Sequence, residues 1–252
     1  MASPRAVVRN WRDSDSYLGH DNAIVWPIFG TLDTNDPSSH LCLTHLTGFA
    51  GHSLQAGKNT DYHAHENAEQ YYYILAGEME VRIGDERVPV GPGTATYFPP
   101  GVKHQLLGED SSDWMQYLII TCAVADDTHV DRSAPRVVNW SDASPTLGNH
   151  GKAVTWQLLE RLNEQEPATD QPCLLSFYYL ARQSLGCGQA SDMHQHDDKE
   201  QIYYVTEGKG VVVTEYEAHR VREGDAVYLP RSVPHMILND AHDGWLSYLV
   251  VS

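Results

Sequence analysis

The chain has 252 residues, 41% hydrophobic and 20% charged, ordinary for a globular protein with enough apolar material for two cores. Its 17 basic against 34 acidic residues leave a formal charge of −17, which excludes a nucleic-acid or anionic-membrane surface built on clustered Lys and Arg. No apolar run approaches the ~20 residues of a membrane span. The polar start from Met1 to Arg12 lacks the apolar core of a secretion signal, so a cytoplasmic protein is expected.

Along the chain, Val7-Val8-Arg9-Asn10-Trp11 opens an N-terminal arm, and His20 to Trp26 follows as a second strand-like piece. Gln70 to Leu75 is rich in Tyr and Ile and is closed by Gly77, a strand pattern; Tyr97-Phe98 reads the same way. Gly84-Asp85 and Gly91-Pro92-Gly93 punctuate these runs as tight turns. Asp126 to Pro135 is polar and reads as a linker, which divides the chain at 1–130 and 131–252. Beyond it the pattern restarts. Val137-Val138-Asn139-Trp140 echoes the first arm, and His150-Gly151-Lys152-Ala153-Val154-Thr155-Trp156 echoes His20 to Trp26. Trp156 to Asn163 is the one stretch that invites a helix, but its counterpart begins Trp26-Pro27 and argues against one. Gln201 to Thr206 and Val211 to Thr214 are strands again, with Gly224-Asp225 as a turn.

The echo is a duplication. His63, His65, Gln70 and His104 map onto His194, His196, Gln201 and His235 by one shift of 131 (194 − 63), which also carries Gly57, Gly77, Gly93 and Pro99 to Gly188, Gly208, Gly224 and Pro230. Two histidines at i and i+2 on an extended strand present their rings to one face. A ligand opening the next strand and a histidine after a Pro-containing turn then converge on them inside a barrel. A lone buried histidine is most often a satisfied core residue; a His-x-His with a matched distant His, twice, is a metal-ligand set.

These motifs closely resemble those of the cupin superfamily in its two-domain form, the bicupins. The first motif, G-x5-H-x-H-x3,4-E-x6-G, is matched by Gly57-x5-His63-x-His65-x4-Gln70-x6-Gly77 and by Gly188-x5-His194-x-His196-x4-Gln201-x6-Gly208. The second, G-x5-P-x-G-x2-H-x3-N, is matched by Gly93-x5-Pro99-x-Gly101-x2-His104 and by Gly224-x5-Pro230-x-Ser232-x2-His235-x3-Asn239. Copy one has Gly108 in place of the terminal Asn, and copy two has Ser232 in place of the turn glycine. The resemblance implies an all-β chain of two tandem antiparallel barrels (double-stranded β-helix, jelly-roll), a divalent transition metal in up to two sites per chain, a small-molecule substrate and a homodimer. It leaves the metal open among Zn, Fe, Ni, Co and Mn.

The motif's glutamate is the main departure. Gln70 and Gln201 occupy its slot by register from Gly77 and Gly208, whereas Glu69 and Glu200 lie one residue earlier, on the opposite face of a regular strand. Glutamine as ligand is the first expectation and glutamate the alternative. Three imidazoles and an amide oxygen are all neutral, so the ion keeps its full charge and acts as a strong Lewis acid. That favours proton transfer on an oxygen-rich substrate, of isomerase or lyase type; a dioxygenase using Fe(II) or Ni(II) and a non-catalytic small-molecule binder are the other readings.

Asp61 and Asp192 share strand parity with the histidines after them and are candidates to orient an imidazole or take a proton, the alternative being a turn cap. Tyr72 and Tyr203 share parity with the glutamines and face the interior as candidate oxyanion donors, although packing is the commoner role. Tyr71 and Tyr73 on the other face are read as packing between barrels or between subunits. His20 and His150 recur in arms that could each cover the neighbouring barrel; a structural histidine is the commoner reading, and His45, opposite Ser176, has no counterpart. His40, His52, His129, His219 and His242 are read as surface residues. Cys42, Cys122, Cys173 and Cys187 form no CxxC pair and are expected to be reduced, with Cys42 and Cys173 filling equivalent slots.

Overall fold

The computed structural model describes residues 5–36, 38–125, 130–147, 150–162 and 172–252. His129, Asn163 and the first part of the expected linker lie outside them. The described chain is built of β-strands and three single-turn 3₁₀ segments. Each copy contributes an eight-stranded sheet faced by a three-stranded one. In copy one the large sheet runs, neighbour to neighbour, Arg136–Asn139, Thr94–Phe98, Ala68–Ala76, Met115–Ala123, Leu46–Leu54, Ala23–Thr31 and Tyr17–Gly19, with Leu41–Leu43 also on Ala23–Thr31. The small sheet is His104–Leu107, Met79–Ile83 and Glu86–Val90. Copy two repeats this with Val7–Asn10 at one end of its large sheet. Val154–Arg161 is a strand, so the stretch that invited a helix is extended as its proline-bearing counterpart requires.

The two outermost strands are exchanged. Val7–Asn10, from the start of the chain, pairs antiparallel with Asp225–Leu229 of copy two, and Arg136–Asn139 pairs with Thr94–Phe98 of copy one. Each arm then turns through a 3₁₀ segment capped by its own asparagine, Asn10 or Asn139. Only these outermost strands cover the neighbouring barrel; the segments carrying His20 and His150 stay with their own, beside His63 and His194.

Side-chain alternation along each central strand feeds two different cores. Tyr72 and Ile74 point into barrel one with Leu54, Val81, Phe98 and Tyr117, and Tyr203 and Val205 do the same in barrel two. Tyr71 and Tyr73 point outward into a third cluster shared by both copies. There the ring of Tyr71 lies 4.7 Å from Phe177, Phe49 lies 5.9 Å from Tyr204, and Phe29 6.1 Å from Tyr228. Fully buried aromatic rings of this size make the junction a core in its own right. Cys42 and Cys173 sit on equivalent short strands, and all four cysteines are free thiols.

Two histidine centres and a glutamate clasp

In each barrel three histidines converge. His63, His65 and His104, and likewise His194, His196 and His235, each offer a ring nitrogen within 4.8 Å of the others in the set. The His-x-His segments are extended but lie outside any regular ladder: single antiparallel bridges join His63 to His104 and His194 to His235. The bridges tie the motif loop to the first residue of the strands His104–Leu107 and His235–Leu238.

Hydrogen bonds fix how the rings point. His104 Nδ1 is 2.9 Å from the Val102 carbonyl, His235 Nδ1 2.8 Å from that of Val233, and His194 Nδ1 2.9 Å from that of Asp192. A carbonyl only accepts, so each Nδ1 carries the proton and each Nε2 is left with a bare lone pair. The Nε2 atoms of His104 and His194, and that of His196, are buried with no hydrogen-bond partner. Protonation does not relieve it: burial lowers the His104 imidazole to about 3, and the His196 and His235 imidazoles to about 4. In copy one the Nε2 atoms of His63 and His65 face each other at 3.1 Å. Unpaired buried acceptors cost about 1–3 kcal/mol each, so several converging on one point fit a cation held between them.

Gln70 and Gln201 lie at the same points. The Gln70 amide nitrogen donates to Thr121 Oγ1 at 3.0 Å, and its buried oxygen has no partner. The Gln201 oxygen is 3.1 Å from His235 Nε2, and its nitrogen donates to the Tyr179 hydroxyl. Tying down the amide nitrogen presents the oxygen to the histidines.

The neighbouring glutamates turn away. Glu69 is fully buried, and its carboxylate accepts from the backbone N–H of Leu175 (2.8 Å), Ser176 and Phe177 (2.6 Å each), and from the Tyr97 hydroxyl (2.7 Å). Glu200 does the same for Thr44, His45 and Leu46 at 2.8–2.9 Å, with the Tyr228 hydroxyl at 3.0 Å and Thr44 Oγ1 at 2.6 Å. The residues correspond one for one under the repeat. Each glutamate is therefore a clasp reaching from one barrel into a loop of the other. Burial pushes the Glu69 carboxyl up, against the pull of its four donors. No residue pattern near Glu69 marked this role, because its partners lie more than a hundred residues away. His45 joins the same junction, with Nε2 3.0 Å from the Ser176 carbonyl.

The other candidates divide between the copies. Asp61 is brought to its histidine: Oδ2 lies 3.2 Å from His63 Nδ1 and Oδ1 lies 3.1 Å from His20 Nδ1. The His20 ring stacks on His63 at 5.0 Å and 25°, and His52, expected at the surface, is instead buried between His20 (5.9 Å) and Tyr117 (5.2 Å), because its strand turns it into barrel one. His20 and its neighbour Asp21 hold φ of 48° and 62°, in the left-handed region that non-glycine residues rarely occupy. Asp192 is exposed, and among the described residues its carboxylate takes no hydrogen bond; the His150 ring lies 5.0 Å from His194 but tilted by 50°. Tyr72 and Tyr203 are buried beside the centres, with rings 5.7 Å from His104 and 5.8 Å from His235.

The described residues include no helix long and apolar enough to cross a membrane. A cupin-domain family model matches residues 52–121 and 181–252, more than half of the chain. An uncharacterized protein of Methanocaldococcus jannaschii is 37% identical over 60 residues, 24% of this chain and 48% of that protein; the match thus spans about half of the relative's length. Among solved structures, one from Pseudomonas aeruginosa named as a glyoxylate-induced protein aligns over 100% of this chain and 89% of its own, with a TM-score of 0.77 and 17% identity. A variant of Bacillus subtilis oxalate decarboxylase aligns over 100% of this chain and 78% of its own, with a TM-score of 0.70 and 15% identity. At such identities the likeness is one of fold.

Proposed function

The chain belongs to the cupin family, with two cupin domains in tandem, and from that premise we propose that it is a metal-dependent enzyme moving protons on a small, oxygen-rich organic substrate, as an isomerase or lyase. The observation that carries the reading is the donor set: three imidazoles whose ring nitrogens converge, a glutamine oxygen beside them, and the glutamates next to those glutamines, Glu69 and Glu200, committed elsewhere. A divalent ion bound by this neutral set would supply Lewis acidity, polarising a substrate oxygen and lowering the pKa of a bound hydroxyl.

The chain's own residues do the rest. His63, His65, Gln70 and His104 would hold one ion, and His194, His196, Gln201 and His235 the other. The carbonyls of Val102 and Val233 keep the deep histidines in the Nδ1–H form. Asp61 holds the His63 ring and, with His20 beside it, places a carboxylate and a second imidazole at the edge of the first centre. Tyr72 and Tyr203 wall the centres off from the barrel interior, where burial pushes their hydroxyls well up and keeps them neutral donors. Oxalate decarboxylase of B. subtilis, a structural neighbour, is described with Mn(II) centres. The glutamate of the family motif is displaced here by glutamine, which removes the anionic ligand that would offset charge on an oxidised metal and so favours non-redox chemistry.

Elemental analysis of protein purified without added metal tests this reading. Two equivalents per chain are expected, falling to one in each of Gln70→Ala and Gln201→Ala. Metal content unchanged in both variants would remove the glutamines as ligands. Turnover of any substrate found should persist in anaerobic buffer; dependence on oxygen would replace the reading with a dioxygenase.

A further inference from the structure

A cavity of about 280 Å³ lies where the two copies meet; none of the converging histidines and glutamines lines it, although His52 and Tyr117 of barrel one reach its wall. Its walls come in repeat-related pairs: Tyr73 with Tyr204, Gly93 with Gly224, and the arm residues Trp11 with Trp140. A guanidinium covers each of these tryptophans. Arg12 lies 4.4 Å from the centroid of Trp11, and Arg182 lies 4.5 Å from that of Trp140. The repeat does not require this, because the two arginines are not equivalents. Arg12 corresponds to Ser141, and Arg182 corresponds to Gly51. Cations from unrelated positions thus arrive at matching places.

Gly51 is informative in itself. It sits inside the strand Leu46–Leu54, where glycine weakens a sheet, and it does not have the positive φ that would call for glycine. A Cβ there would meet only Trp11 Cβ at 3.7 Å, an ordinary contact. No crowding within the chain explains the glycine. Its effect is to leave without a side chain, in copy one, the position that Arg182 fills in copy two.

We propose that this cavity is a binding site for a small carboxylate of up to one ring, its carboxylate on Arg12. Three arguments select the class. The volume lies just under the ~300–1,000 Å³ usual for small-molecule pockets, enough for a single-ring acid. The lining carries Arg12 and Arg182 against Glu223 alone, a positive balance in a chain of charge −17. The two tryptophan faces are already occupied by the chain's own cations, so a cationic guest would meet guanidinium rather than a free ring. Arg182 is partly engaged by Glu207 at 3.4 Å, whereas Arg12 makes no ion pair among the described residues and is left as the anchor.

Calorimetric titration of the metal-loaded full chain with benzoate, and with benzamide as the neutral isostere, tests the site. Saturable benzoate binding is expected, with benzamide roughly tenfold weaker or worse because a charge-assisted hydrogen bond is lost. Arg12→Gln should weaken benzoate about tenfold and leave benzamide unchanged. Gly51→Leu, which fills the cavity, should abolish both while leaving metal content intact. Benzoate binding retained in Gly51→Leu would mean that it lands on the histidine centres, and would overturn the proposal. So would equal affinity for benzoate and benzamide, or no saturable heat up to about 10 mM, where affinity falls below any useful binding energy. If Gly51→Leu does not fold, Arg12→Gln decides alone: unchanged benzoate affinity overturns the site.

Discussion

Barrel one and barrel two hold the same histidine triad, yet their surroundings have diverged. In barrel one, Asp61 bridges His20 and His63, and the position beside the ligand glutamine is Gly48, with nothing but Thr121 near its missing Cβ. In barrel two the equivalent of Gly48 is Tyr179, whose hydroxyl meets Gln201, and Asp192 stands apart in solvent. Lys199, where barrel one has Ala68, sits over Tyr178 and Tyr179 and helps to lower the His196 imidazole after burial. Barrel one combines room beside the ligands with a carboxylate–imidazole pair at its edge; barrel two has filled the room. Ligand geometry is held constant while access and outer support change, so barrel one is the candidate for chemistry and barrel two for stability.

The largest effect should fall on what the copies share. Glu69→Ala strips a buried carboxylate from three backbone N–H groups and a tyrosine, and Glu200→Ala does the same from the other side. Each is expected to cost about 3–5 kcal/mol in a denaturant melt, because the donors left behind are buried and unpaired. Near-equal losses would mark the clasps as symmetric scaffolding. A loss under ~1 kcal/mol in one of them would show that its loop re-pairs with water or backbone. Neither should lower metal content in the protein that remains folded.

The next effect separates the copies. Asp61→Asn removes a carboxylate from His63 Nδ1, and outer partners of this kind are worth about 10–100-fold in metal affinity. Asp192→Asn, with no such contact, should change affinity by less than ~3-fold. Chelator competition on the wild type would then show two unequal sites, and Asp61→Asn would bring the tighter one toward the weaker. An equal response to both substitutions would erase the proposed difference between the barrels.

Much of this was legible from residues alone, for a physical reason. A repeat without insertions preserves strand register, so the parity that assigns Gln70 and Gln201 to the inner face also assigns Glu69 and Glu200 to the outer one. The structure places both pairs accordingly. Tyr71 and Tyr72 separate into junction and interior by the same alternation. What parity cannot supply is the identity of a distant partner. The loop that Glu69 holds, and the strands that the exchanged arms join, are set by long-range packing with no local pattern. The unequal treatment of Asp61 and Asp192 is hidden for a related reason. It depends on the turn that carries His20, where Asp21 replaces a residue corresponding to Gly151 and accepts a positive φ.

The smallest test concerns the other positive-φ substitution. Gly101 closes the turn before His104 at φ 77°, and its equivalent Ser232 holds φ 60° before His235. A serine in that region carries a cost of roughly 1–2 kcal/mol relative to glycine. Part of this is returned by the hydrogen bond from Ser232 Oγ to Asp197 Oδ1 at 2.9 Å, an exposed contact worth about 0.5–1.5 kcal/mol at most. Ser232→Gly should therefore stabilise barrel two by up to about 1 kcal/mol, less the extra freedom that glycine gives the unfolded chain. Gly101→Ser should destabilise barrel one by more, since nothing lies within 4 Å of a Cβ added there to hold the new side chain. A melt in which Ser232→Gly is destabilising would mean that the hydrogen bond to Asp197 outweighs the backbone strain, and that barrel two has been tuned at this turn rather than merely tolerating it.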